Sequence, residues 1–169
     1  MKSLIIYFSR TDENYTTGSI SKGNTEIVAE EIQKLTNADL FKCDPLVPYS
    51  SDYKKCIEEA RIKMEEDARP ELKNYLKDIS NYDVIYIGGP IYFGEYPYEI
   101  YSALEALDFN GKIIRPFSTH EGSALGKCIG VLRDKCKGAI IKQGLAIRGS
   151  EASEEASKIK IINWVNKDN

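Results

Sequence analysis

The sequence predicts an α/β fold, a three-layer doubly wound sandwich in which a five-stranded parallel sheet of order 2-1-3-4-5 lies between two layers of helices. Three observations predict it. Short apolar runs rich in Ile, Val, Tyr and Phe alternate with amphipathic stretches along the chain. The apolar runs have the length of strands buried on both faces, and helical patterns follow them in βαβ order. No repeat, low-complexity tract or linker interrupts the series, so residues 1–169 are read as one domain.

The first strand covers residues 4–8. Asn24 or Thr25 then caps a helix whose Val28, Ile32 and Leu35 share one face, opposite Glu30, Glu31 and Lys34. A second strand at residues 39–43 leads to a helix over 52–68, where Tyr53, Cys56, Ile57, Ala60 and Met64 form one stripe and the intervening charge is a solvated face. Strands at 84–87 and 113–117 carry the β-branched and aromatic residues that favour a pleated surface. Ile100, Tyr101, Leu104 and Leu107 mark the helix between them. Leu125, Cys128, Ile129 and Leu132 mark the next, with Ser123 as its cap. The fifth strand is broken into residues 139–141 and 145–147, and a last helix turns Ala152, Ala156, Ile159 and Ile162 to the sheet.

Lys and Arg total 23 against 26 for Asp and Glu, so the formal charge of −3 gives no electrostatic basis for binding nucleic acid or anionic lipid. The N-terminus has no signal-peptide pattern, and no stretch approaches the ~20 apolar residues that span a bilayer. A cytoplasmic protein without a membrane partner, monomeric or weakly dimeric, is expected. Cys43, Cys56, Cys128 and Cys136 contain no CxxC pair and fall in predicted strands or helices, which reads as reduced, buried thiols.

In an open sheet of this order, ligands bind beyond the carboxyl ends of the strands, where the strand order reverses. Three segments meet there. After the first strand come Ser9, Arg10 and Thr11, then residues 12–22, then Gly23, Asn24 and Thr25 at a helix start. Hydroxyls and free N–H groups at such a terminus suit a phosphate. After the third strand, residues 88–98 carry Gly88, Gly89, Pro90 and Gly94 among Tyr92, Phe93, Tyr96 and Tyr98. Glycines admit a flat ring and the aromatics supply faces for it. After the fourth strand, the polar residues 118–123 include His120, the single histidine, and suit the edge of a heterocycle.

Two rival chemistries fail on spacing. Residues 18–25 copy a Walker A loop except that Asn24 stands where its lysine belongs, and they begin well after the strand ends. Cys128 and Arg133 are one residue too close for a phosphatase loop. No nucleophile set, metal-ligand cluster or general base is evident, so neither a catalytic residue nor a metal is assigned.

With residues 12–22 set aside, Ser9-Arg10-Thr11-Gly23-Asn24-Thr25 resembles the phosphate loop of the flavodoxin family. Gly89-Pro90-Ile91-Tyr92-Phe93-Gly94 and Thr119-His120-Glu121-Gly122-Ser123 resemble its two flavin loops, and the likeness spans the chain. The resemblance implies a flavodoxin-like fold and non-covalent FMN. It implies that Ser9, Arg10, Asn24 and Thr25 line the phosphate, that Pro90, Ile91, Tyr92, Phe93 and Gly94 flank the isoalloxazine, and that Thr119, His120, Glu121 and Gly122 meet its edge. The insertion parts a loop that is continuous in the family, and it carries Asn14 and Tyr15, close enough to fold back over the site.

Such a protein is expected to shuttle electrons between redox partner proteins with basic docking surfaces. Glu95, Glu99, Glu105, Asp108 and Glu121 outnumber Lys112 and Arg115 between Tyr92 and Gly122, which predicts a low potential, since negative charge disfavours the anionic reduced flavin. The alternative is an FMN-dependent NAD(P)H:quinone or related reductase on the same fold. No nicotinamide motif supports it.

Overall fold

Residues 1–167 are described by the computed structural model. Strand β1 (Ser3–Tyr7) leads through a hairpin of β2 (Glu13–Asn14) and β3 (Gly18–Ser19) to helix α1 (Asn24–Thr36). Then come β4 (Asp39–Lys42), α2 (Tyr53–Glu65), β5 (Val84–Pro90), α3 (Tyr98–Leu104), β6 (Ile113–His120) and α4 (Cys128–Lys135). The chain closes with β7 (Ile140–Ile141), β8 (Leu145–Arg148), a 3-10 turn at Gly149–Glu151 and α5 (Glu155–Asn166). Parallel ladders order the sheet β4-β1-β5-β6, and β7 and β8 both pair with β6, β7 at its start and β8 at its end. The doubly wound order and the broken fifth strand are those the sequence predicts.

Alternation along β1 divides the core. Leu4, Ile6 and Phe8 pack with Cys56 of α2, Ile100 of α3 and Cys128 of α4 on one face. Ile5 and Tyr7 pack with Val28 and Ile32 of α1 and with Ile161 and Trp164 of α5 on the other. All four cysteines are buried and none is bridged. Among the described residues no helix is long and apolar enough to cross a membrane, and no group of His, Cys, Asp and Glu is placed to hold a metal ion.

Several expected details differ. Helix α5 buries Ser157, Ile161 and Trp164, leaving Ile159 and Ile162 exposed by 52% and 39%. Trp164 sets that rotation: its indole N–H donates to the Gln143 carbonyl at 2.8 Å and its ring meets Tyr86 edge-on at 5.6 Å. Ser123 does not cap α4, which begins at Cys128, because its carbonyl instead closes a turn with the Gly126 N–H. Strands β5 and β6 run further than expected, pairing Gly88 with Phe117, Gly89 with Ser118 and Pro90 with Thr119. Gly88 therefore makes room for protein, since a Cβ there would lie 2.2 Å from the Phe117 ring.

Candidate functional site

The carboxyl ends of β1, β5 and β6 and the start of α1 converge on a cleft of about 230 Å³. Gly23, not Asn24 or Thr25, is the N-cap of α1 and, lacking a side chain, caps no N–H itself. Ser9 reaches over from the end of β1 and its Oγ accepts the Glu26 N–H at 3.1 Å. A Cβ on Gly23 would lie 2.0 Å from that Oγ, so this contact requires glycine. The Ile27 N–H goes to the Gly23 carbonyl, which leaves the N–H groups of Asn24 and Thr25 without partners among the described residues.

Residues 12–22 form the β2–β3 hairpin that rims the cleft. Asn14 pairs with Gly18 across the tip, where a φ of 66° at Gly18 closes the loop. Arg10 Nε donates to the Glu13 carbonyl at 2.7 Å, Asn14 Nδ2 donates to the Arg10 carbonyl at 3.1 Å, and the Glu13 carboxylate accepts the Tyr53 N–H of α2 at 2.6 Å. These bonds fold the hairpin back, placing Asn14, Tyr15, Thr16 and Thr17 on the cleft. Tyr15 packs on Tyr53 with ring centroids 5.9 Å apart, and Asn24 Nδ2 reaches Thr17 Oγ1 at 3.5 Å.

Beyond β5, Pro90, Ile91 and Tyr92 line the cleft. The Tyr92 ring stands edge-on to Phe8 and Tyr49 at 6.2 and 5.9 Å, so one side of it belongs to the core. Its hydroxyl is buried beside Cys56 without a hydrogen bond, and burial raises the phenol well above its ordinary pKa. Phe93 and Gly94 do not line the cleft. With φ of 53° and 84° they form a two-residue turn closed by Tyr92 and Glu95, with Phe93 outermost.

At the end of the neighbouring β6, Thr119 and His120, with Glu121 after them, line the cleft, while Gly122 is not among its lining residues. Thr119 Oγ1 is hydrogen-bonded to Thr25 Oγ1, which keeps the Thr25 hydroxyl inside the protein. His120 Nδ1 accepts the Gly122 N–H at 2.9 Å, placing the ring proton on Nε2. Burial, then the Arg148 charge, lowers its pKa. Glu121 accepts the Ser150 N–H at 2.7 Å and stands 3.7 Å from Arg148.

The sequence reading missed Thr16, Thr17, Tyr53 and Gly149, which also line the cleft, as does Ser123 at the end of the polar loop it did single out. Tyr53 was legible only as part of a core stripe, yet it follows the cap Asp52, on the first turn at the ligand end of the sheet. Gly149 follows β8 at that same edge.

The charge pattern changes as well. Of the carboxylates from Tyr92 to Gly122, Glu121 alone lines the cleft. Glu99 is fully buried on Lys63 and Tyr49, Glu105 pairs with Arg69, and Glu95 accepts from Tyr98 and Tyr101. The excess of negative charge counted along the chain is therefore not gathered at the cleft.

A family model described as flavodoxin matches residues 3–168. A crystal structure of a candidate flavoprotein from Bacteroides uniformis is 25% identical, with a TM-score of 0.77 over 98% of each chain. One from Bacteroides eggerthii is 27% identical, with a TM-score of 0.68 over 89% of this chain and 92% of that one. A flavoprotein from Lactobacillus acidophilus, crystallised with FMN, shares the fold at 22% identity and a TM-score of 0.63, covering 92% and 98%. No curated protein matches the chain.

Proposed function

The chain belongs to the flavodoxin family, and from that premise we propose that it holds one FMN non-covalently in this cleft and carries electrons between proteins. The observation that carries this reading is the donor set. The unpartnered N–H groups of Asn24 and Thr25, with the Thr17 hydroxyl beside Asn24, suit a phosphate dianion at a helix terminus. Tyr92 and Tyr53 offer aromatic walls, and Thr119, His120 and Glu121 offer polar groups for a heterocycle edge. Bound there, FMN supplies the electron chemistry.

Support for a carrier comes from the size of the cleft. Its volume of about 230 Å³ lies under the roughly 300–1,000 Å³ of sites that enclose a drug-sized ligand. A cleft of that size would leave part of an isoalloxazine open to solvent and to a partner protein, with little enclosed room for a second ring. The formal charge of −3 favours a basic partner, whose encounter salt weakens. The four unbridged cysteines suit a reducing cytoplasm.

The test loads the protein with FMN, reduces it, and mixes it with cytochrome c as a basic one-electron acceptor. Rapid transfer that slows with ionic strength, beside slow reduction of the protein by NADPH, is expected. Rapid turnover of NADPH with a quinone would instead make the protein a reductase.

A further inference from the structure

Arg10 is 7% exposed and lines the cleft, yet no carboxylate pairs with it among the described residues. Its Nε holds the Glu13 carbonyl at 2.7 Å, and its Nη2 holds the Ser50 and Ser51 carbonyls at 2.8 and 3.2 Å. Neutral carbonyls fix a guanidinium in place but leave its charge uncompensated, a costly arrangement in a site largely removed from water. The resemblance assigns Arg10 to the phosphate. The structure turns its guanidinium to the segment between β4 and α2, where Ser50 and Ser51 accept from it. Its cleft neighbours on that side include Tyr53 and Tyr92. Burial raises the pKa of Tyr53, Cys56 and Tyr92, and the Arg10 charge opposes that rise in all three.

We infer that Arg10 is the counter-charge of the reduced flavin ring, a residue that raises the midpoint potential by pairing with the anion formed there. The inference rests on the FMN reading. Two electrons from a donor protein and one proton from solvent convert the neutral oxidised ring into a reduced ring of charge −1. A fixed cation in a site of low dielectric stabilises that form over the oxidised one.

The test measures oxidised FMN binding by fluorescence quenching and the midpoint by dithionite titration against a reference dye. Arg10→Gln is expected to leave oxidised FMN binding close to wild type and to weaken reduced FMN about tenfold relative to it, a fall of ~30 mV for a two-electron couple. Arg10→Lys, which keeps the charge, is expected to recover most of that fall. A Gln variant with an unchanged midpoint overturns the inference while leaving FMN binding intact, and one that merely loses its preference for FMN over riboflavin returns Arg10 to the phosphate. Failure of the wild type to bind FMN overturns the reading on which the inference rests. If the Gln variant does not fold, the wild-type midpoint between about pH 6 and 8 decides. A slope near 30 mV per pH unit means one proton for two electrons and supports an anionic ring, and one near 59 mV means a neutral reduced ring and overturns it. The other ionisable groups facing this region are Glu13 and Tyr15 of the hairpin, Tyr53 and Cys56 of α2, Tyr92 after β5, His120 at the end of β6 and Glu121 after it.

Discussion

Thr25 Oγ1 lies 2.7 Å from Thr119 Oγ1, and this buried bond joins the first turn of α1 to the end of β6 across 94 residues of sequence. It couples the α1 end of the cleft, proposed for the phosphate, to the end of β6 proposed to meet the ring edge. Thr25→Val leaves the Thr119 hydroxyl buried without its partner, at a cost of about 1–3 kcal/mol. Thr25→Val with Thr119→Val is expected to cost less than the two single changes summed, because no hydroxyl is then stranded. Urea unfolding of the four proteins tests this, and strict additivity would mean that the hydroxyls do not interact.

Ser9 acts on the fold before it acts on any ligand. Ser9→Ala removes the acceptor of the Glu26 N–H and is expected to destabilise the protein by about 0.5–2 kcal/mol, the range of a lost helix cap. Gly23→Ala brings a methyl against Ser9 Oγ and the Arg10 carbonyl and should weaken FMN further by displacing the helix start. Thermal melting of both apoproteins, with FMN titration of each, separates the effects. Wild-type melting in Ser9→Ala would show that water replaces the cap.

Tyr92 divides between core and cleft, so two substitutions are needed. Tyr92→Phe keeps the ring and removes a buried hydroxyl that lacks a partner, and it should leave stability unchanged or raise it by about 1 kcal/mol. Tyr92→Ala opens a cavity against Phe8 and Tyr49, at about 3–5 kcal/mol, and also removes the aromatic wall. A Phe variant that melts lower than wild type would show that the hydroxyl is bonded in solution.

His120 is the single histidine, so its imidazole is resolved in the NMR spectrum without assignment. Burial and Arg148 lower its pKa, and its titration midpoint should fall below that of an unfolded histidine. The unfolded chain then takes up the proton first as pH falls. This part of the stability is complete above the unfolded pKa and is lost as pH drops towards the folded value. His120→Asn should flatten the acid limb of the stability curve, and a midpoint above that of the unfolded chain would reverse the sign.

The architecture was legible because the strands of the main sheet announce themselves by apolar runs and the helices by stripes, down to the break between Ile141 and Leu145. Helix phase was less so. The isoleucines at 159 and 162 keep a helical period, but one Trp164 decides which face of α5 is buried. At the site, the order of segments along the chain was enough to bring residues after β1, β5 and β6 together, since topology alone sends them to one edge. The direction of side chains was not legible. Ser9 and Thr25 turn to protein partners, Phe93 turns outward because Gly94 follows it in a tight turn, and Arg10 leaves the phosphate loop for carbonyls forty residues on. The hairpin at residues 12–22 lacks hydrophobic alternation, and backbone carbonyls with one carboxylate hold it.

The central claim is that the α1 terminus takes the phosphate of a flavin whose ring lies in the cleft. The most direct measurement is the affinity of the apoprotein for FMN and for riboflavin, by flavin fluorescence quenching at fixed ionic strength. Two charge-assisted hydrogen bonds from Asn24 and Thr25 predict at least ~100-fold tighter binding of FMN, at about 1.5–3 kcal/mol for each bond. Equal affinity for the two flavins would contradict the account.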